Sequence, residues 1–176
     1  ARSGGETVPA EPGQAVAEGD SITIEGTGFV VMTDEDENVQ VRAEDYTEVH
    51  FDGVKAGKGL QFDIPEGKAN FDVVPGNKLE VKTPHMVAAV RGTEFTMEVT
   101  DMATELAVSE GMVEATDNGG ATEAVSAGQD TVADTEGFAG LGKPSFVAHH
   151  AQVMAKETRA SRARAASIIL LTIARA

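Results

Sequence analysis

Between Gly19 and Ala133, large apolar residues recur at every second position, and turn-forming dipeptides interrupt them at roughly ten-residue spacing. Leu60, Phe62 and Ile64 alternate with polar neighbours, as do Leu79 and Val81, then Phe95, Met97 and Val99, then Leu106 and Val108. A period of two sends these side chains to one face of a strand and leaves the other face to water. Glu66-Gly67, Pro75-Gly76, Glu110-Gly111, Asn118-Gly119-Gly120 and Ala127-Gly128 mark the turns. With no helical periodicity between them, such strands predict an all-β fold: a sandwich or an irregular solenoid of short antiparallel strands. The core material agrees. There is no Trp, one Tyr, seven Phe and 19 Gly, a mix suited to strands and tight turns. A chain of 176 residues is long enough to bury one proper core.

The two ends have a different texture. Residues 1–18 read as a loose lead-in, because Pro9, Pro12 and Gly13 discourage regular structure. The β domain spans 19–133, and residues 134–145 form a Gly-rich connector ending at Pro144 and Ser145. Residues 146–176 contain neither Gly nor Pro and much Ala, which predicts a helix from Phe146 to about Ala166. The Ile-Ile-Leu-Leu-Thr-Ile end suits a continuing helix or a strand, since β-branched residues fit either. From Leu141 on, six basic residues face one acid, Glu157; this +5 balance leaves −20 on residues 1–140 out of the −15 total. An acidic body argues against nucleic acid as the main partner. The basic tail suits an anionic membrane surface, an acidic partner or the acidic body of a sister molecule. Its Arg159, Arg162 and Arg164, followed by Ile168, Ile169, Leu170, Leu171 and Ile173, mark it as a candidate interaction helix. Exposed aliphatics at a terminus need cover, either from the chain's own β domain or from a neighbouring subunit. The longest apolar stretch, Ala165 to Ala174, is about half the ~20 residues a helical membrane span requires.

Candidate chemistry is sparse. With no Cys, neither a disulfide nor a thiolate metal site can form. Asp34, Asp36 and Asn38 alternate like the start of an EF-hand loop, but Val39 stands where that loop needs Gly and Asp45 where it needs Glu. Alternating acids on a strand edge account for the same pattern and discourage edge-to-edge pairing. His149 and His150 are adjacent, so on a helix they point about 100° apart, and His50 and His85 stand alone. Nothing matches a nucleophile–base pair, a phosphate-cradling loop or a dinucleotide fingerprint. The expectation is a non-catalytic protein with no cofactor and no metal site.

The stretch Val81 to Val99, VKTPHMVAAVRGTEFTMEV, is the most ordered piece of the chain. Pro84 suits a strand start, and Gly92 allows a positive φ or a close backbone approach, so Arg91-Gly92-Thr93 marks a sharp corner. The run Val87 to Val90 reads as a strand buried on both faces. Arg91 either pins the corner through carbonyls or a carboxylate, or stands exposed to a partner. Thr83, Pro84 and His85, then Arg91, Gly92, Thr93, Glu94 and Phe95, together with Ser109 to Glu114, resemble the FecR family of bacterial envelope sensors. Gly19 to Ile22 and Ser126 to Val132 fit that family's start and finish, so the resemblance covers 19–133.

Regulators of that family combine a cytoplasmic anti-sigma segment, a membrane span, a periplasmic FecR domain and a small signalling domain that meets an outer-membrane transporter. The resemblance therefore implies an all-β module exported to the periplasm or the cell surface of a bacterium. Signal-peptidase cleavage would account for a chain that opens on Ala1 with a Gly/Pro-rich start. Two functions fit. One is a structural or protein-interaction module that self-assembles into a homo-oligomer or polymer, its C-terminal helix docking on a neighbouring subunit. The other is a periplasmic signalling module of a FecR-type regulatory system, binding another envelope protein.

Overall fold

The computed structural model describes residues 2–3, 6–140 and 169–173, with side chains described over 8–140. Its strands form one continuous mixed sheet that curls into a half-barrel with two wings. The first wing comprises β1 (Arg2–Ser3), β2 (Glu6–Thr7), β4 (Ser21–Thr23), β7 (Glu48–Lys55), β9 (Lys78–Lys82), β10 (Met86–Arg91), β13 (Met112–Asp117) and β14 (Thr122–Ser126). The second comprises β3 (Ala15–Val16), β5 (Val30–Asp34), β6 (Val39–Ala43), β11 (Glu94–Val99), β12 (Ala103–Glu110), β15 (Asp130–Asp134), β16 (Gly137–Phe138) and β17 (Ile169–Ile173). The long β8 (Gly59–Val73) belongs to both.

β8 makes the curl. Its first half pairs with β7 and its second half with β6 and β11. Yet its start also lies beside β9 in parallel, Leu60 against Leu79 and Asp63 against Lys82. A straight strand from Leu60 to Val73 would run about 40 Å, and the few residues from Val74 to Lys78 can span only about 16 Å. β8 must therefore bend back on itself. The bend falls where the pairing changes wings, at Pro65, Glu66 and Gly67. Gly67 has φ of 103°, and a Cβ there would run into the backbone of Thr47.

The expectation of short antiparallel strands is corrected here. β8–β9, β17–β3 and β17–β5 are parallel. A parallel pair needs a crossover of a dozen or more residues. Between β8 and β9 the second half of β8 is itself that crossover, which no hairpin reading of the turn signals supplies.

The core lies inside the curl. Four buried rings link the wings: Phe51 to Phe62 at 5.3 Å, Phe62 to Phe71 at 6.5 Å, and Phe71 to Phe95 stacked at 4.6 Å. The alternating residues read from the sequence, Phe62 and Ile64, Met97 and Val99, Leu106 and Val108, are buried here. The lead-in is more ordered than its prolines suggest: it supplies β1, β2 and β3, and Val16 is in the core. The β region also runs past Ala133 to Phe138, which packs on the core. The helix expected from Phe146 to about Ala166, with Arg159, Arg162, Arg164, His149 and His150, lies outside the described residues, as does Ile168. Ile169–Ile173, which suited helix or strand, is a strand.

Candidate functional site

The signature stretch enters as β9, turns at Thr83, Pro84 and His85, and continues as β10. A chain of hydroxyls holds that turn. Thr83 Oγ1 donates to the Met86 carbonyl at 3.1 Å, and Thr104 Oγ1 donates to Thr83 Oγ1 at 2.9 Å. Thr104 has then spent its hydrogen, so the contact from buried His85 Nδ1, at 3.1 Å, carries the proton on the imidazole nitrogen. Asn118 Nδ2 donates to the Pro84 carbonyl at 2.7 Å and ties the turn to the loop after β13. His85 is therefore occupied with architecture.

The corner at the other end of β10 is equally specific. Gly92 has φ of 69°, and a Cβ there would meet Pro75 Cα. Thr93 is buried and donates from Oγ1 to the Met112 carbonyl at 2.9 Å. Phe95 enters the core against Phe71. Arg91 is different: it is exposed and has no ion pair among the described residues. Of the two roles open to it in the sequence, the structure places it outward. The run Val87 to Val90 is also corrected. Only Met86, Ala88 and Val90 are buried, while Val87 is half-buried and Ala89 exposed, because β10 has one face on the core and one outside.

The outer face of the first wing carries a groove of about 530 Å³. Lys78, Arg91, Met112 and Glu114 rim it, with the small exposed Ala89 in the middle. Two cations are already engaged. Lys58 Nζ lies 2.9 Å from Glu80 Oε2, and Lys78 Nζ donates to the Gly57 carbonyl at 2.8 Å. Arg91 has no ion pair among the described residues and lies beside Met112, a large apolar side chain 58% exposed. A guanidinium next to an exposed thioether offers a charged hydrogen-bond donor beside an apolar surface. Of these residues Arg91, Met112 and Glu114 lie in the stretches that carry the family resemblance. Lys78 and Glu80 occupy the polar positions of an alternating strand, and Met112 shares the outer face of β13 with Glu114.

Farther along the same face, Asp63 lies between His50 and Lys82 in register. Burial raises its carboxyl above the ordinary 3.8; the charges of His50 and Lys82 pull it back, and Asp52 and Glu48 push it up. A raised carboxyl favours the fold fully only below 3.8, and that support is lost as pH rises through the folded-state value. Asp63→Asn is therefore expected to raise the melting temperature at pH 7, with the gain shrinking as the pH approaches 3.8. Melts across that range check it, and a gain that persists undiminished at low pH would refute it. His50 itself contacts Glu48 at 2.9 Å. At the EF-hand-like segment, Asp34 is buried, and its Oδ1 accepts the amides of Asn38 at 2.6 Å and Val39 at 2.9 Å. That carboxylate shapes the β5–β6 hairpin. Among the described residues no cluster of three metal-ligating groups forms.

Comparison with known proteins agrees with the fold. Two crystal structures of a candidate anti-sigma factor from Parabacteroides distasonis each match with a TM-score of 0.59 and 19% identity. The match covers 72% of this chain and 59% of the solved one. At that identity the likeness is one of fold, and this chain corresponds to little more than half of the longer molecule. No curated protein matches the sequence. The FecR protein family matches residues 29–114. That span, just under half of the chain, holds the corner, the bent strand and most of the groove, and it is a FecR domain.

Proposed function

We propose that this chain is a regulatory signalling module of FecR type, working by protein contact in the bacterial envelope rather than by catalysis. The observation that carries the proposal is the unpaired, exposed Arg91 at the family's corner, opening onto a groove beside exposed Met112. The fold likeness to a candidate anti-sigma factor supports it. The partner we infer is another envelope protein, a transporter or a relay component, offering an acidic and apolar peptide surface.

Comparing transcripts among the intact strain, a deletion and an Arg91→Glu allele tests this reading. A discrete set of transcripts is expected to shift in the deletion and to shift likewise in the allele. The purified variant is expected to keep its stability within about 0.5 kcal/mol, since Arg91 supports nothing internal. An unchanged transcript profile in the deletion would overturn the regulatory reading.

A second reading, self-assembly into a homo-oligomer, is supported by a different feature. The C-terminal segment adds a strand to the second wing, in a place that the chain's earlier strands leave open.

A further inference from the structure

We propose that β17 is an exchangeable strand, and that the slot between β3 and β5 accepts Ile169–Ile173 from a second copy of the chain as well as from its own. This rests on the self-assembly reading and is independent of the regulatory one.

The slot is built for an added strand. β5 pairs with β6 on one side, Val30 against Ala43 and Met32 against Val41. On its other side β17 runs parallel to it over five positions, from Ile169 beside Val30 to Ile173 beside Asp34. β17 also reaches β3, with Thr172 beside Ala15 and Ile173 beside Val16. Without β17, β5 would offer an open row of backbone donors and acceptors, an edge that recruits another strand. The residues along that edge are apolar: Val30, Val31 and Met32 are buried at three consecutive positions, and Val16 is buried across the slot.

The incoming strand is Ile-Leu-Leu-Thr-Ile, and its pairing is between backbones. Nothing in that pairing distinguishes one copy from another. Residues 141–168 separate Gly140 from β17, and a stretch of that length reaches about 90–100 Å when fully extended. The tail carries +5 and residues 1–140 carry −20, so the segment bearing the strand is attracted to the body of any copy. Entry into its own slot does not depend on concentration, whereas entry into another copy's slot rises with it, so exchange is favoured where copies are crowded. Reciprocal exchange closes a dimer, whereas serial exchange builds a chain.

The absence of cysteine makes the test direct. Leu170 and Val31 are Cα partners, so full-length Val31→Cys and Leu170→Cys variants, mixed at about 1 mM and oxidised gently, join only if a strand has entered another copy's slot. The expected result is a disulfide-linked dimer in the mixture, heavier on a non-reducing gel than anything either variant forms alone. The double variant in one chain, diluted, is expected to close as a monomer. Thr33→Cys with Thr172→Cys, partners in the same register, replaces the first pair if Val31→Cys does not fold. A mixture that never crosslinks while the double variant closes would overturn exchange. A double variant that joins neither within nor between chains would overturn β17's occupation of the slot. Oligomers seen by light scattering without either crosslink would leave self-assembly standing through another surface and end this proposal.

Discussion

Replacing Phe71 with alanine is expected to remove about 3–5 kcal/mol of stability, the usual cost of deleting a fully buried ring from a packed core. Phe71 is 1% exposed and sits at the centre of the second wing, in register with Val41 on one side and Phe95 on the other. Its ring stacks on Phe95 with 6° between planes and meets the edge of Phe62 at 61°. Removing it breaks the line of rings that joins the wings and leaves a cavity that strands on both sides cannot easily fill. Against a total of about 5–15 kcal/mol for an ordinary domain, that loss is large. Thermal denaturation followed by circular dichroism is expected to show a fall of roughly 6–20 °C. Phe95→Ala and the double variant complete a cycle, with a coupling of about 0.5–1.5 kcal/mol expected from the stacked pair. A loss below about 1 kcal/mol for Phe71→Ala would mean that the ring is not the junction described here.

Gly92→Ala is expected to cost about 2–5 kcal/mol, for two separable reasons. The backbone at φ of 69° disfavours any side chain, and the new methyl group would meet the backbone of Pro75, which cannot swing aside as a flexible side chain could. Gly128→Ala is the control. Its φ is 80°, but a Cβ there has nothing within 4 Å, so only the torsional part, about 1–2 kcal/mol, is expected. Denaturant titration of both variants separates conformation from contact. Equal losses would show that the approach of Pro75 does not matter.

That corner also marks how far the sequence could be read. Alternation at Phe62 and Ile64, or Phe95, Met97 and Val99, reports burial directly, because a strand's period is a local property. Gly92 announced a turn for the same reason. The identity of what it approaches did not show, since Pro75 comes from a turn seventeen residues earlier and arrives through the pairing of β9 with β10 and of β8 with β11. Val87 to Val90 misled because valine and alanine look alike as core material. Only the neighbouring strands decide that Ala89 faces outward. The site was half legible: Arg91 and Met112 lie in recognisable motif stretches, while their meeting, with Lys78, in one groove depends on register between strands. The aliphatic tail was recognisable as something needing cover. Its parallel partners, β3 and β5, lie at the far end of the chain and left no local sign.

The bent strand has a thermodynamic consequence. Because β8 supplies backbone partners to both wings, opening either strips the hydrogen bonds from half of a strand whose other half anchors the second. A partner that grips the outer face of the first wing therefore draws on the cohesion of the whole fold.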